Sequence, residues 1–273
     1  MKKEFILDTK LTKNQIAVFY LGQEGMLIRY GNKHLLIDGY LSDYVDKNCC
    51  TEAVTWVRKY PAPIRAEDLD FIDYVFCTHD HYDHMDPITL SALARQNPGA
   101  KFFAPEPVKE KLLSCGAAPE NVTGAVADEA IELDGCRVIP VPSAHEGLHQ
   151  DESGNYCELG YKIIIGDISL YHAGDCCVYD GLRERIQDID IMMVPVNGRD
   201  YYKLRDDIIG NMNDLEAVLL AKEVNAGLLV PMHIDLYDVN CINPAQFVNT
   251  LYTHNPSQAF HMFVPGERYI FEK

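Results

Sequence analysis

The segment Thr78-His79-Asp80-His81-Tyr82-Asp83-His84 constrains this chain more than any other part of it. Three imidazoles and the Asp83 carboxylate fall within six residues, directly after the apolar run Ile72-Asp73-Tyr74-Val75-Phe76-Cys77. Solvated turns rarely concentrate histidine in this way, and neighbouring protonated rings repel one another. A divalent cation removes that cost by binding the neutral rings. On extended backbone, His79 and His81 point to one side, which leaves Asp83 and His84 to reach a second ion. A histidine-rich surface turn is the competing reading.

One loop does not complete such a site. Three more candidate ligands each follow an apolar run: His145 after Val138-Ile139-Pro140-Val141, Asp175 after the run Ile168 to His172, and His233 after Leu228-Leu229-Val230-Pro231. Ligands in sheet proteins gather at the carboxyl ends of strands, and all four loops obey that placement. The expected set is then His79, His81 and His145 on one metal, Asp83, His84 and His233 on the other, and Asp175 between them. No thiolate is required, so zinc and manganese both suit the donors, with iron also admissible.

The remaining sequence predicts the scaffold. Ile16 to Leu21 reads as a strand, and Gly25 to Asp38 as a hairpin turning at Gly31-Asn32. A helix is expected over about 50 to 59. Another starts at Asp86 as N-cap, with Pro87 in its first position, and ends at Asn97-Pro98-Gly99. A short strand at Lys101-Phe102-Phe103 precedes a short helix over 107–115. Strands are predicted at 130–133, 136–141, 158–165, 168–172, 189–196, 228–231 and 268–272. Asn213 with Glu216 has the form of a capping box opening a helix, and another helix covers 244–253. The order is not a simple parallel βα alternation. It suits an α/β (α+β) fold in which two mixed sheets pack together with helices outside, as one domain over 1–273.

The motif HxHxDH, followed by a later His, Asp and His, resembles the metallo-β-lactamase superfamily. That resemblance runs from about residue 15 to 272 and implies a four-layer αββα sandwich. It also implies that Asp38, closing Leu36-Ile37-Asp38, supports the metal loop. Within the superfamily, the chain looks most like L-ascorbate-6-phosphate lactonase and its relatives. The matching pieces are Thr78 to His84, Leu170-Tyr171-His172-Ala173-Gly174-Asp175 and Pro231-Met232-His233-Ile234-Asp235. The activity implied is hydrolysis by a binuclear metal-bound hydroxide. Its target is a lactone or other ester-like bond, a phosphorylated sugar acid among the candidates, with Asp83 holding and shuttling the proton.

The segment Asn197-Gly198-Arg199-Asp200-Tyr201-Tyr202 is a candidate substrate loop. Here Asn197, Arg199, Tyr201 and Tyr202 meet an anionic group; the alternative is an ordinary connection whose charges pair internally. Lys and Arg number 24 against 41 Asp and Glu, a net charge of -17. That repels nucleic acid and argues against a nuclease or phosphodiesterase on the same fold. A di-iron redox protein is a further alternative, although such relatives carry Glu where this chain has His81. From the Arg199 loop and the lactonase resemblance, a small, anionic molecule is the expected partner, with neither nucleic acid nor membrane. A homo-oligomer remains open. The nine cysteines show no CxxC spacing and the N-terminus no apolar leader pattern, so the expected setting is a reducing cytoplasm. Cys176 and Cys177 read as small packing residues, and His172 as a support.

Overall fold

The computed structural model describes residues 1–273. Its first six strands are β1 (Gln15–Gly22), β2 (Gly25–Tyr30), β3 (Lys33–Ile37), β4 (Tyr74–Phe76), β5 (Lys101–Pro105) and β6 (Val122–Ala125). The next seven are β7 (Ile131–Leu133), β8 (Cys136–Pro142), β9 (Leu159–Ile165), β10 (Ile168–His172), β11 (Ile191–Pro195), β12 (Leu228–Met232) and β13 (Ala259–Phe260). The last, β14 (Arg268–Glu272), returns to the first sheet. The order is β14-β1-β2-β3-β4-β5-β6 in one sheet and β13-β12-β11-β10-β9-β8-β7 in the other. Both sheets are mixed. Pairing is antiparallel through β3 and parallel from β3 to β6 in the first; it is antiparallel through β10 and parallel from β10 to β13 in the second.

Strand alternation explains why these runs are apolar on both faces. In β1, Ile16, Val18 and Tyr20 enter the core shared by the two sheets, while Ala17, Phe19 and Leu21 enter a second core beneath helix Pro87–Gln96. In β11, Ile191 and Met193 face the other sheet. Met192 and Val194 meet the cluster that includes Val218 and Leu220 of helix Asp214–Glu223 and Phe247 of helix Pro244–His254. Helix, sheet, sheet and helix are thus the four layers. Burying a Val, Leu, Ile, Phe or Met side chain in this way contributes about 1.5–3 kcal/mol. That makes the strand ends stiff supports for the loops beyond them.

Helix starts follow local chemistry. Asp86 accepts from the Ile88 amide at 3.1 Å, and Asn213 and Glu216 form a reciprocal capping box. The helix expected over 50 to 59 is absent. A shorter helix occupies Tyr44–Asn48 instead, and irregular backbone follows it. The Thr51 hydroxyl accepts from the amides of Ala53 and Val54 at 3.2 and 3.0 Å, which turns the chain away from a helix. Asp46 then fixes the Arg58 amide at 2.7 Å. Strands β6 and β13 and helix Tyr201–Arg205 were not legible as elements. The two strands are short edges, and the helix depends on Asp200 capping Tyr202 and Lys203. No helix is long and apolar enough to cross a membrane.

Candidate metal centre

The histidine loop leaves β4 beside the end of β3, where Asp38 waits. The Asp38 carboxylate accepts from the Thr78 amide (2.8 Å), the Thr78 hydroxyl (2.6 Å) and Nδ1 of His84 (2.9 Å). This holds the Nδ1 edge of the His84 ring and aims Nε2 inward, as supporting carboxylates do for ligand histidines. Thr78 Oγ1 in turn lies 3.0 Å from Nδ1 of His79. Gly174 has φ +59°, and a Cβ there would stand 2.7 Å from Thr78, so the approach of the β10 loop requires glycine.

The structure brings all seven candidate ligands together at one end of the two sheets. His79, His81, His145 and Asp175 form one cluster, and Asp83, His84 and His233 another. Asp175 stands between them. Its Oδ2 is 3.9 and 3.6 Å from Nε2 of His79 and His145, while its Oδ1 is 3.5 and 3.7 Å from Nε2 of His84 and His233. His145 Nε2 and His81 Nδ1 approach to 3.1 Å. Two nitrogens about 2.0–2.1 Å from one tetrahedral ion would be roughly 3.3 Å apart, so the spacing fits a shared cation.

The orphaned atoms test that fit. Nε2 of His79, Nε2 of His84 and Oδ1 of Asp175 are buried without hydrogen-bond partners. Buried polar atoms are ordinarily satisfied, so lone pairs converging on one space fit divalent ions. Electrostatics agrees at His79 and His145. Burial lowers His79 well below the ordinary histidine range, aided by the neighbouring rings, and lowers His145 to about 4. Both are neutral donors at neutral pH. Burial also disfavours charge on His84, but Asp83, Asp175 and Asp38 outweigh it and raise its pKa. Burial pushes Asp175 up, yet His84, His233 and His145 outweigh it and keep the group a carboxylate.

Two site residues escaped the sequence reading. Gln23 is buried, and its Nε2 lies 2.8 Å from Asp83 Oδ2 and 3.0 Å from His233 Nε2. Glu24 is buried with neither carboxylate oxygen paired, beside His84 and Asp175, and burial raises its pKa well above the usual range. The turn Gly22-Gln23-Glu24-Gly25 looks like a solvated hairpin tip. The His233 amide covers it by donating to the Gln23 carbonyl at 3.2 Å. Gln23, Asp38 and His233 all have positive φ, +58°, +46° and +57°. Non-glycine residues hold such backbone only where surrounding contacts impose it.

The candidate substrate residues lie elsewhere. Arg199 places its guanidinium on both oxygens of Glu216, at 2.9 and 2.7 Å, and on the Asn211 carbonyl. Asn197 is buried and bonded to Asn240 and Asn211. Tyr201 and Tyr202 are 71% and 66% exposed. None of the four borders the cavity whose floor is His81, Asp83, His145, Asp175 and His233; Asp206 to Ile209 border it instead. His172 supports the β1–β2 turn, its Nε2 lying 2.8 Å from the Glu24 carbonyl. The Cys176 thiol is buried, which raises its pKa to about 12, and it donates to the Cys177 carbonyl. A thiol so disposed packs rather than ligates.

Residues 35–234 match the family model described as Beta-lactamase superfamily domain. The chain belongs to that family. It is 26% identical over 188 residues to a UPF0173 metal-dependent hydrolase of Saccharolobus solfataricus, covering 66% of this chain and 71% of that one. Over 265 residues it is 25% identical to a UPF0173 metal-dependent hydrolase of Nitratidesulfovibrio vulgaris, covering 95% and 97%. A possible metal-dependent hydrolase from Veillonella parvula shares its fold, with a TM-score of 0.73, 16% identity, and coverage of 94% and 99%. The two packed mixed sheets with helices outside are the metallo-β-lactamase fold.

Proposed function

We propose that the protein is a metal-dependent hydrolase that cleaves a small lactone or other ester-like bond. One observation carries the reading: the two oxygens of Asp175 face separate histidine clusters. The names of its relatives in the UPF0173 group support the same reaction class. His79, His81 and His145 would hold one divalent ion, Asp83, His84 and His233 a second, and Asp175 both; zinc and manganese suit this set. Bound there, such ions polarise an acyl oxygen and acidify water.

The chain's own groups supply the rest. Asp83 Oδ2 lies on the cavity floor, oriented by the Gln23 amide, where it can take a proton and return it. Hydrolysis breaks the acyl C–O bond; water gives its oxygen to the carbonyl carbon and a proton to the leaving oxygen. Asp38 and Thr78 keep His84 and His79 from turning as charge moves. The resemblance to the lactonase supports a cyclic ester among the targets. The net charge of -17 disfavours a nucleic-acid substrate.

Elemental analysis after reconstitution, with a panel of lactones and esters, tests the proposal. The expected result is close to two metals per chain. Asp175→Asn should lose metal and activity together, whereas Cys176→Ala and Cys177→Ala should keep both. One metal with full activity in His84→Ala would overturn the paired-ion assignment. A fully loaded protein inert toward every ester would overturn the hydrolase.

A further inference from the structure

The cavity above the ring nitrogens has a volume of about 250 Å³. Sites for drug-sized ligands run to roughly 300–1,000 Å³, so its occupant is small. Its walls come from segments distant in sequence. Val45, Val54 and Trp56 belong to one segment, Ile208 and Ile209 to another, and Tyr82 to the histidine loop. Val54 and Ile208 are buried. Tyr82 packs 4.7 Å from Tyr44, and Trp56 packs edge-on 5.1 Å from Tyr237, so both aromatic walls are braced from behind.

No lysine or arginine borders this space, whereas Asp206 and Asp207 do. The cations of the flanking segment are already paired: Arg199 with Glu216, Lys203 with the Asn197 carbonyl, and Arg205 with the cavity-bordering Asp206 at 2.7 Å. A second anionic group seated against these walls, away from the ring-nitrogen floor, would leave water and find no cationic side chain there, which is costly. The protein's overall negative charge opposes its approach as well.

We infer that the substrate carries an uncharged, apolar acyl group, short alkyl or aryl, seated between Trp56 and Ile208-Ile209, and that the cavity selects against a second anion such as a sugar phosphate. This deepens the hydrolytic reading and rests on it. The scissile bond meets the ring-nitrogen floor, and the apolar remainder fills the walls. Arg199 does not offer such an anion a free cation here, because Glu216 occupies its fork.

Trp56 is the chain's single tryptophan, so its emission reports cavity occupancy without turnover. Benzamide and 4-carbamoylbenzoate form a matched pair that differs in one carboxylate; methyl benzoate and monomethyl terephthalate are the corresponding esters. On the metal-loaded protein, benzamide should shift Trp56 emission with a Kd at least about tenfold below that of 4-carbamoylbenzoate. Methyl benzoate should show a similar advantage in kcat/KM. Ile209→Lys should narrow or invert both ratios; Ile209 is 38% exposed, so a lysine there stays solvated and the fold is not at risk. The inference is overturned if the carboxylated partners bind or react equally well, if neither amide moves the emission, or if Ile209→Lys leaves the ratios unchanged. Preferential benzamide binding with no ester turnover would sink the hydrolase while upholding the cavity's selectivity. Faster turnover of monomethyl terephthalate would do the reverse.

Discussion

Oδ2 of Asp38 lies 2.9 Å from Nδ1 of His84, and neither side chain is exposed. Their residues are 46 positions apart and belong to loops that follow adjacent parallel strands. The contact sets which ring nitrogen of His84 is free to bind a cation. Three donors converge on the Asp38 carboxylate, and an amide has only one oxygen to offer them. Asp38→Asn should therefore weaken metal binding roughly 10- to 100-fold. Competition against a chromogenic chelator measures this directly. Unchanged affinity would mean that His84 needs no anchor.

Arg199 bonds both oxygens of Glu216, the same side chain that completes the capping box with Asn213. Its removal should loosen the start of helix Asp214–Glu223 without touching the cavity. The pair is partly exposed, so the loss is discounted to about 1 kcal/mol, or about 2–4 °C in Tm. Arg199→Ala should lower Tm by that amount and leave KM unchanged for any ester the protein cleaves. A raised KM with unchanged Tm would return Arg199 to substrate recognition.

His34 supplies a pH signature away from the metal centre. It is buried in β3, edge-on to Phe71 at 4.8 Å, and burial lowers its pKa to about 4. An unfolded chain protonates the same ring near its ordinary value of about 6.5. The unfolded state thus binds more protons between those values, so the neutral-ring contribution is complete above about pH 6.5. It is lost as pH falls toward 4. Thermal unfolding of the protein and of His34→Gln at pH 7.5 and 4.5 isolates the effect. The decrease in Tm on acidification should be smaller in the variant. Equal decreases would show that the ring is free to protonate in the folded state.

Much of the scaffold was legible because it is encoded at short range. Asp86-Pro87 and Asn213 with Glu216 carry their own caps, and runs such as Ile72 to Cys77 announce strands buried on both faces. The segment after Cys50 misled because its helix-like run gives no sign that the Thr51 hydroxyl would capture its amides. Arg199 shows a related limit: its sequence position near a strand end does not reveal that Glu216, 17 positions away, is placed beside it.

The sequence by itself marked the candidate metal ligands. His79 to His84 concentrate three imidazoles and a carboxylate suited to a divalent cation, and His145, Asp175 and His233 each follow an apolar run that reads as a strand. Tertiary structure alone decided what surrounds those donors. It buried Gln23 and Glu24, which lie on a hairpin tip that would otherwise face water, and it brought Trp56 and Ile208, about 150 positions apart, to the wall of one cavity. The physical reason is range. Donor type and strand periodicity are properties of a few consecutive residues, whereas burial and cavity shape arise only when distant segments exclude water together.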